Sequence, residues 1–232
     1  MTPPSSAPRV IAIDGPAASG KGTLARRLAA ALGFAHLDTG GLYRAVGLTL
    51  RRAGQDPADA GLAAQAAAAL TPGDIAGLMA DPELRSEATA QAASLVSVVP
   101  AVRQALLDFQ RDFAARPPVL ADGTPARGAV LDGRDIGTVV CPGAPAKLYV
   151  TATVEVRAER RLKELQGRGA VAIYADVLKD MKDRDARDSQ RAVAPLKPAA
   201  DAYLLDTSSL DADQAFDAAM TFVRAKPAFN GR

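Results

Sequence analysis

Residues 10–23 read Val-Ile-Ala-Ile-Asp-Gly-Pro-Ala-Ala-Ser-Gly-Lys-Gly-Thr, and they restrict the fold of this chain more than any other stretch. A buried-strand run leads into a glycine-rich loop with one lysine. Leu24, Leu28 and Leu32 then follow at helical spacing up to Gly33, a good helix stop. Strand, loop and helix stand in the order that G-x-x-x-x-G-K requires, with Gly15, Gly20 and Lys21 as its fixed points. Glycines let successive N–H groups curl around a polyphosphate, and the helix start presents its positive end to the same anion. Lys21 adds a mobile point charge. Gly22 stands where many such loops carry a hydroxyl, and Thr23 supplies one a step later, for a phosphate or for Mg²⁺. Gly15, Pro16, Ala17, Ala18, Ser19, Gly20, Lys21, Gly22 and Thr23 are therefore the expected cradle of a nucleoside triphosphate.

The rest of the chain narrows what the triphosphate serves. With 232 residues and 48% hydrophobic content, one large domain or a core with inserted subdomains is expected. The net charge of +2 gives no global case for a nucleic-acid or membrane partner. A single cysteine, Cys141, excludes an internal disulfide and a cysteine-based metal cluster, and a reducing cytoplasm is the simplest fit. No segment is long and apolar enough to span a bilayer, and the Pro- and Ser-rich residues 1–8 read as a flexible tail. His36 is the only histidine and lies in a short apolar run, where packing is its expected role; histidine-triad and histidine-rich metal chemistry are disfavoured. Asn230 is the only asparagine, so the Asn-Lys-x-Asp base-reading motif of GTPases cannot form.

Strand and helix signals alternate, which predicts an α/β fold with a mostly parallel sheet. The expected strands are 9–14, 34–37, 128–132, 146–151 and 202–206. The expected helices are 21–32, 40–53, 57–70, 85–98, 100–115, 154–166, 172–187 and 211–226. In the helix at 100–115, Pro100 suits the first turn, Val102, Leu106, Phe109 and Phe113 make one apolar stripe, and Pro117-Pro118 ends it. Residues 54–84 carry turn signals at Asp56-Pro57, Thr71-Pro72-Gly73 and Asp81-Pro82 and read as part of an inserted subdomain. Residues 121–128 read as a turn-rich excursion before a strand.

Four further segments concentrate polar residues. Asp38-Thr39-Gly40-Gly41-Leu42-Tyr43-Arg44 follows the second strand, at the sheet edge where ligands bind in open parallel sheets. Val130-Leu131-Asp132 ends a buried strand in a carboxylate suited to supporting Mg²⁺ through its water shell, and Gly133-Arg134-Asp135 continues from it. Arg157, Arg160 and Arg161 lie on a helix whose Glu155, Glu159 and Glu164 would pair them on a surface, unless that helix is a lid bringing arginines to a transferring phosphate. Arg184, Asp188 and Arg191 share a helical face at i, i+4 and i+7.

With these residues in hand, the chain resembles the bacterial cytidylate kinases, within the nucleoside monophosphate kinases that share Gly-Lys-Gly-Thr. The resemblance rests on Asp38-Thr39-Gly40 with Tyr43-Arg44, on Asp132-Gly133-Arg134-Asp135-Ile136-Gly137-Thr138, and on Arg184-Asp185-x-x-Asp188-x-x-Arg191-Ala192-Val193-Ala194-Pro195-Leu196, over about residues 9–226. The family often has serine at Thr39, and the stretch 121–128 is extra. The resemblance implies a parallel sheet of the P-loop NTPase type flanked by helices, with an inserted nucleoside-monophosphate-binding subdomain and a helical lid. Its implied parts are a core at 9–38, 116–152 and 193–232, an acceptor-binding region with insert at about 39–115, and a lid at about 153–192.

The activity it implies is transfer of the γ-phosphoryl group of ATP to CMP or dCMP with Mg²⁺. By the same resemblance Lys21, Arg44, Arg134, Arg157, Arg161 and Arg191 are the expected catalytic set. Thr39, Arg44, Ser94, Arg103, Arg134, Asp135, Arg184, Asp188 and Arg191 are expected to bind CMP, and Thr23 and Asp132 to serve the metal, Asp132 through water. A cytoplasmic monomer is expected. A P-loop kinase for another small acceptor, such as UMP or shikimate, is the nearest alternative. A regulatory ATPase that binds a partner protein has only the loop in its favour.

Overall fold

The short apolar runs of the sequence become one five-stranded sheet in the order β2-β3-β1-β4-β5, seen in a computed structural model that describes residues 9–230. The expected tail at 1–8 lies outside the described residues. β1 (Arg9–Asp14) is central and pairs in parallel with β3 (Gly128–Gly133) and β4 (Ala146–Thr151), and β4 pairs in parallel with β5 (Tyr203–Asp206). β2 (Ala35–Asp38) lies outside β3. The register sets Asp14 beside Gly133 on one side and Tyr149 on the other. The carboxyl ends of three strands therefore meet where the chain order switches across β1, the usual ligand edge of such sheets.

Ile11, Ile13, Val130, Leu148 and Val150 of the sheet pack with Leu24 and Leu28 of α1 (Lys21–Leu32) and with Ala219 and Val223 of α9 (Ala212–Arg224). Truncating one such fully buried leucine costs about 2–5 kcal/mol, so this core fixes where the loop after β1 stands. α1 ends at Gly33, whose φ of 65° is the left-handed cap expected from the sequence.

The chain divides into two compact units, one formed by Asp38–Arg111 and the other by the chain on either side of it. In the first, α2 (Thr39–Arg52) packs closely on α5 (Glu87–Val96), and Ala45, Leu48 and Leu84 form a core with Leu70, Leu78 and Met79. A Cβ at Gly47 would lie 2.9–3.1 Å from Ala92 and Ala93 atoms, so the small residue sets how near the two helices come. α3 (Ala60–Ala69) is shorter than the expected 57–70, because Asp59 accepts hydrogen bonds from the N–H groups of Gly61 and Leu62 and starts the helix there.

Thr71-Pro72, expected as a turn, instead opens α4 (Pro72–Ala80). Thr71 caps it in a reciprocal box with Asp74, and Pro72 occupies the first turn, where a missing N–H costs nothing. Asp81-Pro82 likewise opens a 3₁₀ turn at Pro82–Arg85. The same residue pairs serve turns and helix starts, which is why their pattern misled.

α6 (Pro100–Ala115) lies mostly in the first unit, and a small excursion follows it in the other. There Leu120 and Gly123 close a turn and Val119 bridges Pro125. α7 (Val154–Gly167) and α8 (Tyr174–Gln190) pack side by side, with Ala158, Val177 and Met181 at their seam and Ala17 and Ala18 against it.

Candidate active site

The loop after β1 is held by its own backbone and by distant side chains. Gly15 has φ 154°, and a Cβ there would strike the Val150 carbonyl oxygen of β4. Ala18 adopts φ 57°, a left-handed conformation costing an alanine roughly 1–2 kcal/mol, of the kind that turns successive amides toward an anion. Lys21 Nζ donates to the Pro16 carbonyl at 3.1 Å, and Arg157 Nη1 donates to the Ala17 carbonyl at 3.3 Å. Thr207, just beyond β5, holds its hydroxyl 3.1 Å from the Ser19 carbonyl, and Arg160 donates to that same hydroxyl at 2.9 Å.

Thr23 lies exposed in the first turn of α1, with Arg26 Nη2 donating to its hydroxyl at 3.3 Å. Asp132 is buried near the end of β3, its Oδ2 3.6 Å from where a side chain at Gly22 would begin. A hydroxyl and a carboxylate are the hard oxygen donors that Mg²⁺ accepts alongside phosphate and water, so the expected pair fits that ion. His36 does more than pack: its Nε2 stands 2.6 Å from Asp132 Oδ1.

α8 and the segment after it supply a buried charge cluster. Arg134 Nε donates to Asp188 Oδ2 at 2.8 Å. Burial pushes the Asp188 carboxyl up, but Arg134, Arg184 and Arg191 together outweigh it and hold its pKa below the ordinary carboxylate value. The expected continuous helical face stops short: α8 ends at Gln190, and Arg191 sits in the extended cap position, its Nε donating to the Asp188 carbonyl at 3.2 Å. Arg157 is buried on α7 and pairs with Asp185 at 2.6 Å, and Arg160 donates to the Thr207 carbonyl at 2.6 Å. These two arginines thus bind the core and α8 rather than Glu155 and Glu159, the partners that the surface-helix alternative would have given them. Arg161 does pair with Glu164, at 2.8 Å.

Within the unit Asp38–Arg111, Thr39 is buried in the first turn of α2, which Asp38 caps by accepting from Gly41 N–H at 3.2 Å. Arg44 Nη1 donates to the Leu84 carbonyl at 3.2 Å. Ser94 is buried on α5 with no hydrogen-bond partner for its Oγ among the described residues. Buried Arg103 stands over the Tyr43 ring, 5.5 Å from its centroid, and donates to the Ser97 carbonyl at 3.3 Å. A buried hydroxyl lacking a partner is costly unless something else completes it.

Three residues at the sheet edge escaped sequence reasoning. Asp14 ends β1 with 3% exposure and accepts from two backbone amides beyond Asp135. The signal was present, a carboxylate closing an otherwise apolar buried strand. Tyr149, half-buried on β4, has its phenol pushed up by burial, which Arg134 partly offsets. Thr207 gave no signal, because its role depends on where β5 ends.

The cytidylate kinase family profile matches residues 11–225. A cytidylate kinase of Paramagnetospirillum magneticum is 64% identical over 217 residues, covering 94% of this chain and 98% of that protein. One from Rhodospirillum rubrum is 58% identical over 217 residues, with the same coverage. A crystal structure of an uncharacterized protein from Eubacterium ventriosum aligns over 94% of this chain and 99% of its own, with a TM-score of 0.52 at 14% identity, a likeness of fold alone.

Proposed function

The chain belongs to the cytidylate kinase family, and from that premise we propose that it transfers the γ-phosphoryl group of ATP to CMP or dCMP, giving CDP or dCDP and ADP. The observation that carries this reading is the largely buried Arg134–Asp188 pair, with buried Asp135 beside it, one strand away from the Gly15 loop. A kinase that joins two polyanions needs cations at both ends of the transferred group and little else.

Lys21 and the loop amides hold the ATP phosphates. Arg44, Arg134 and Arg191 take the CMP phosphate, and Thr39, Arg184 and Asp188 lie at the sugar. Ser94, Arg103 and Asp135 read cytosine, whose N4 amino group donates beside acceptors at N3 and O2. Asp135 accepts from N4, and Arg103 donates to the acceptor edge. Uracil reverses the pattern at positions 3 and 4, which disfavours UMP.

The attacking atom is a phosphate oxygen that is already anionic, so no strong general base is required. Thr23, and Asp132 through water, would hold Mg²⁺, which would supply neutralisation of phosphate charge. α7 and α8 act as the lid, and Arg157 and Arg161 serve the phosphoryl group in flight while water is excluded. The same reading takes the protein as a cytoplasmic monomer.

An acceptor panel with Mg-ATP tests the proposal. Rapid turnover of CMP and dCMP with poor turnover of UMP is expected. Turnover of AMP or dTMP with none of CMP would overturn it.

A further inference from the structure

Asp14 takes no part in the chemistry above, yet both of its oxygens are committed. Ile136 N–H donates to Oδ1 at 2.7 Å and Gly137 N–H donates to Oδ2 at 2.8 Å. These amides open a single π-helical turn, Ile136–Val140, which Asp135 precedes without capping it by its own side chain. The cap comes instead from a different strand. Asp135 itself lies at φ −145°, ψ 25°, and its carbonyl accepts from Val139 N–H at 2.8 Å and Val140 N–H at 3.2 Å, so the turn closes directly behind it.

Two successive amides on one carboxylate fix the rotation of the peptide planes as well as their distance, and Arg134 and Asp135 project from the backbone that enters those planes. Gly137 permits the close approach: a Cβ there would stand 3.3 Å from Asp14 Oδ2 and 3.2 Å from Lys147 Cδ. A carboxylate is also the side chain that this pair of donors requires, since it accepts at both atoms. On its other side Asp14 is followed at once by Gly15.

We propose that Asp14 is a positioning residue for the acceptor nucleotide: it ties the backbone carrying Arg134 and Asp135 to the end of the strand that carries the triphosphate loop. The two ends of the phosphoryl transfer thereby keep a set spacing within the sheet unit, and the base-reading carboxylate keeps its direction. This inference rests on the proposed CMP kinase reading. The loop has separate supports in Arg157, Thr207 and Lys21, so loss of the Asp14 tether falls on the acceptor side.

The test is D14N, which keeps the volume but places an NH₂ group against one of the two N–H donors. Expected are a rise in KM for CMP of roughly tenfold or more, a smaller CMP-to-UMP preference, and a KM for ATP within about threefold of wild type. Amide exchange should quicken at Ile136 and Gly137, a readout independent of turnover. Gly137→Ala presses on the same contact and should move the same quantities in the same direction, and it carries the test if D14N does not fold. If wild type phosphorylates CMP while the folded variants keep its CMP KM and CMP-to-UMP ratio, the positioning role is overturned alone. A wild-type protein inert toward CMP would instead overturn the reading beneath it.

Discussion

Arg134 and Asp188 are 54 positions apart in sequence, yet the arginine Nε donates to the carboxylate at 2.8 Å with both side chains largely out of water. Two desolvated charges compensate each other, and removing one strands the other. Arg134→Ala should therefore lower stability by about 3–5 kcal/mol, the usual cost of breaking a buried pair. It should also cut kcat/KM for CMP by roughly a hundredfold or more, because the cation assigned to the acceptor phosphate is gone. Denaturant melts and initial rates check the two effects separately. A variant with wild-type stability would mean that Asp188 finds full compensation from Arg184 and Arg191.

Lys21 folds back onto the Pro16 carbonyl at 3.1 Å and is only partly buried. Little packing depends on its charge, so Lys21→Ala should keep the fold while lowering turnover by roughly a hundredfold or more, as expected when a phosphate-holding cation is removed. Circular dichroism and kcat together decide this, and near-normal turnover would remove Lys21 from the site.

The fold was legible where periodicity and punctuation agreed. β1, α1 and α6 have the expected bounds because their periodic runs ended at Gly15, Gly33 and Pro117. α4 was missed because Thr71-Pro72 signals a turn and a capped helix start equally well. The π-helical turn at Ile136–Val140 was missed because its cap, Asp14, lies 122 positions away. The loop between β1 and α1 could be placed from spacing alone, since all its parts are local. The Arg157–Asp185 pair, the His36–Asp132 contact and the Thr207 hydroxyl could not, because each depends on which strand ends meet.

Asp135 is buried two residues past the end of β3, beside Arg134, and is assigned to the cytosine amino group. Asp135→Ala removes an acceptor that cytosine satisfies and uracil does not. Because an unmatched buried polar group costs about 1–3 kcal/mol, the CMP-to-UMP ratio of kcat/KM should shrink by roughly five- to a hundredfold. Competition between the two acceptors measures it, and an unchanged ratio would assign base reading to another group.

Gly47 and Gly77 should respond to alanine with opposite signs. Both lie in helices, where alanine is favoured by up to about 1 kcal/mol. At Gly77 nothing lies within 4 Å of the added Cβ, so Gly77→Ala should raise the midpoint of unfolding slightly. At Gly47 the Cβ would meet Ala92 and the Ala93 backbone nitrogen at 2.9–3.1 Å, and overpacking of about 1–3 kcal/mol outweighs the propensity gain. A lower midpoint for Gly47→Ala beside a raised one for Gly77→Ala is the expected pair of melts. Equal responses would mean that α2 and α5 separate easily.

Asp14 links the sheet to pH. Burial pushes its carboxyl from 3.8 up to about 6, against the pull of the Gly137 and Ile136 amides; Asp135 adds to the rise and Lys21 opposes it. The folded chain thus holds the Asp14 proton more tightly than the unfolded chain. The stability from that proton is fully present below 3.8 and is lost as pH rises through about 6. At neutral pH the folded state carries an ionised buried carboxylate at a cost on the order of 3 kcal/mol. Asparagine at this position does not titrate, so D14N cancels every other carboxylate from the comparison. Unfolding free energies measured from about pH 7.5 to about pH 4 should shift in favour of wild type over D14N by on the order of 2–3 kcal/mol, most of it between pH 6 and 4. A constant difference across that window would mean that the two amide hydrogen bonds offset burial completely, so that Asp14 titrates alike in the folded and unfolded chain.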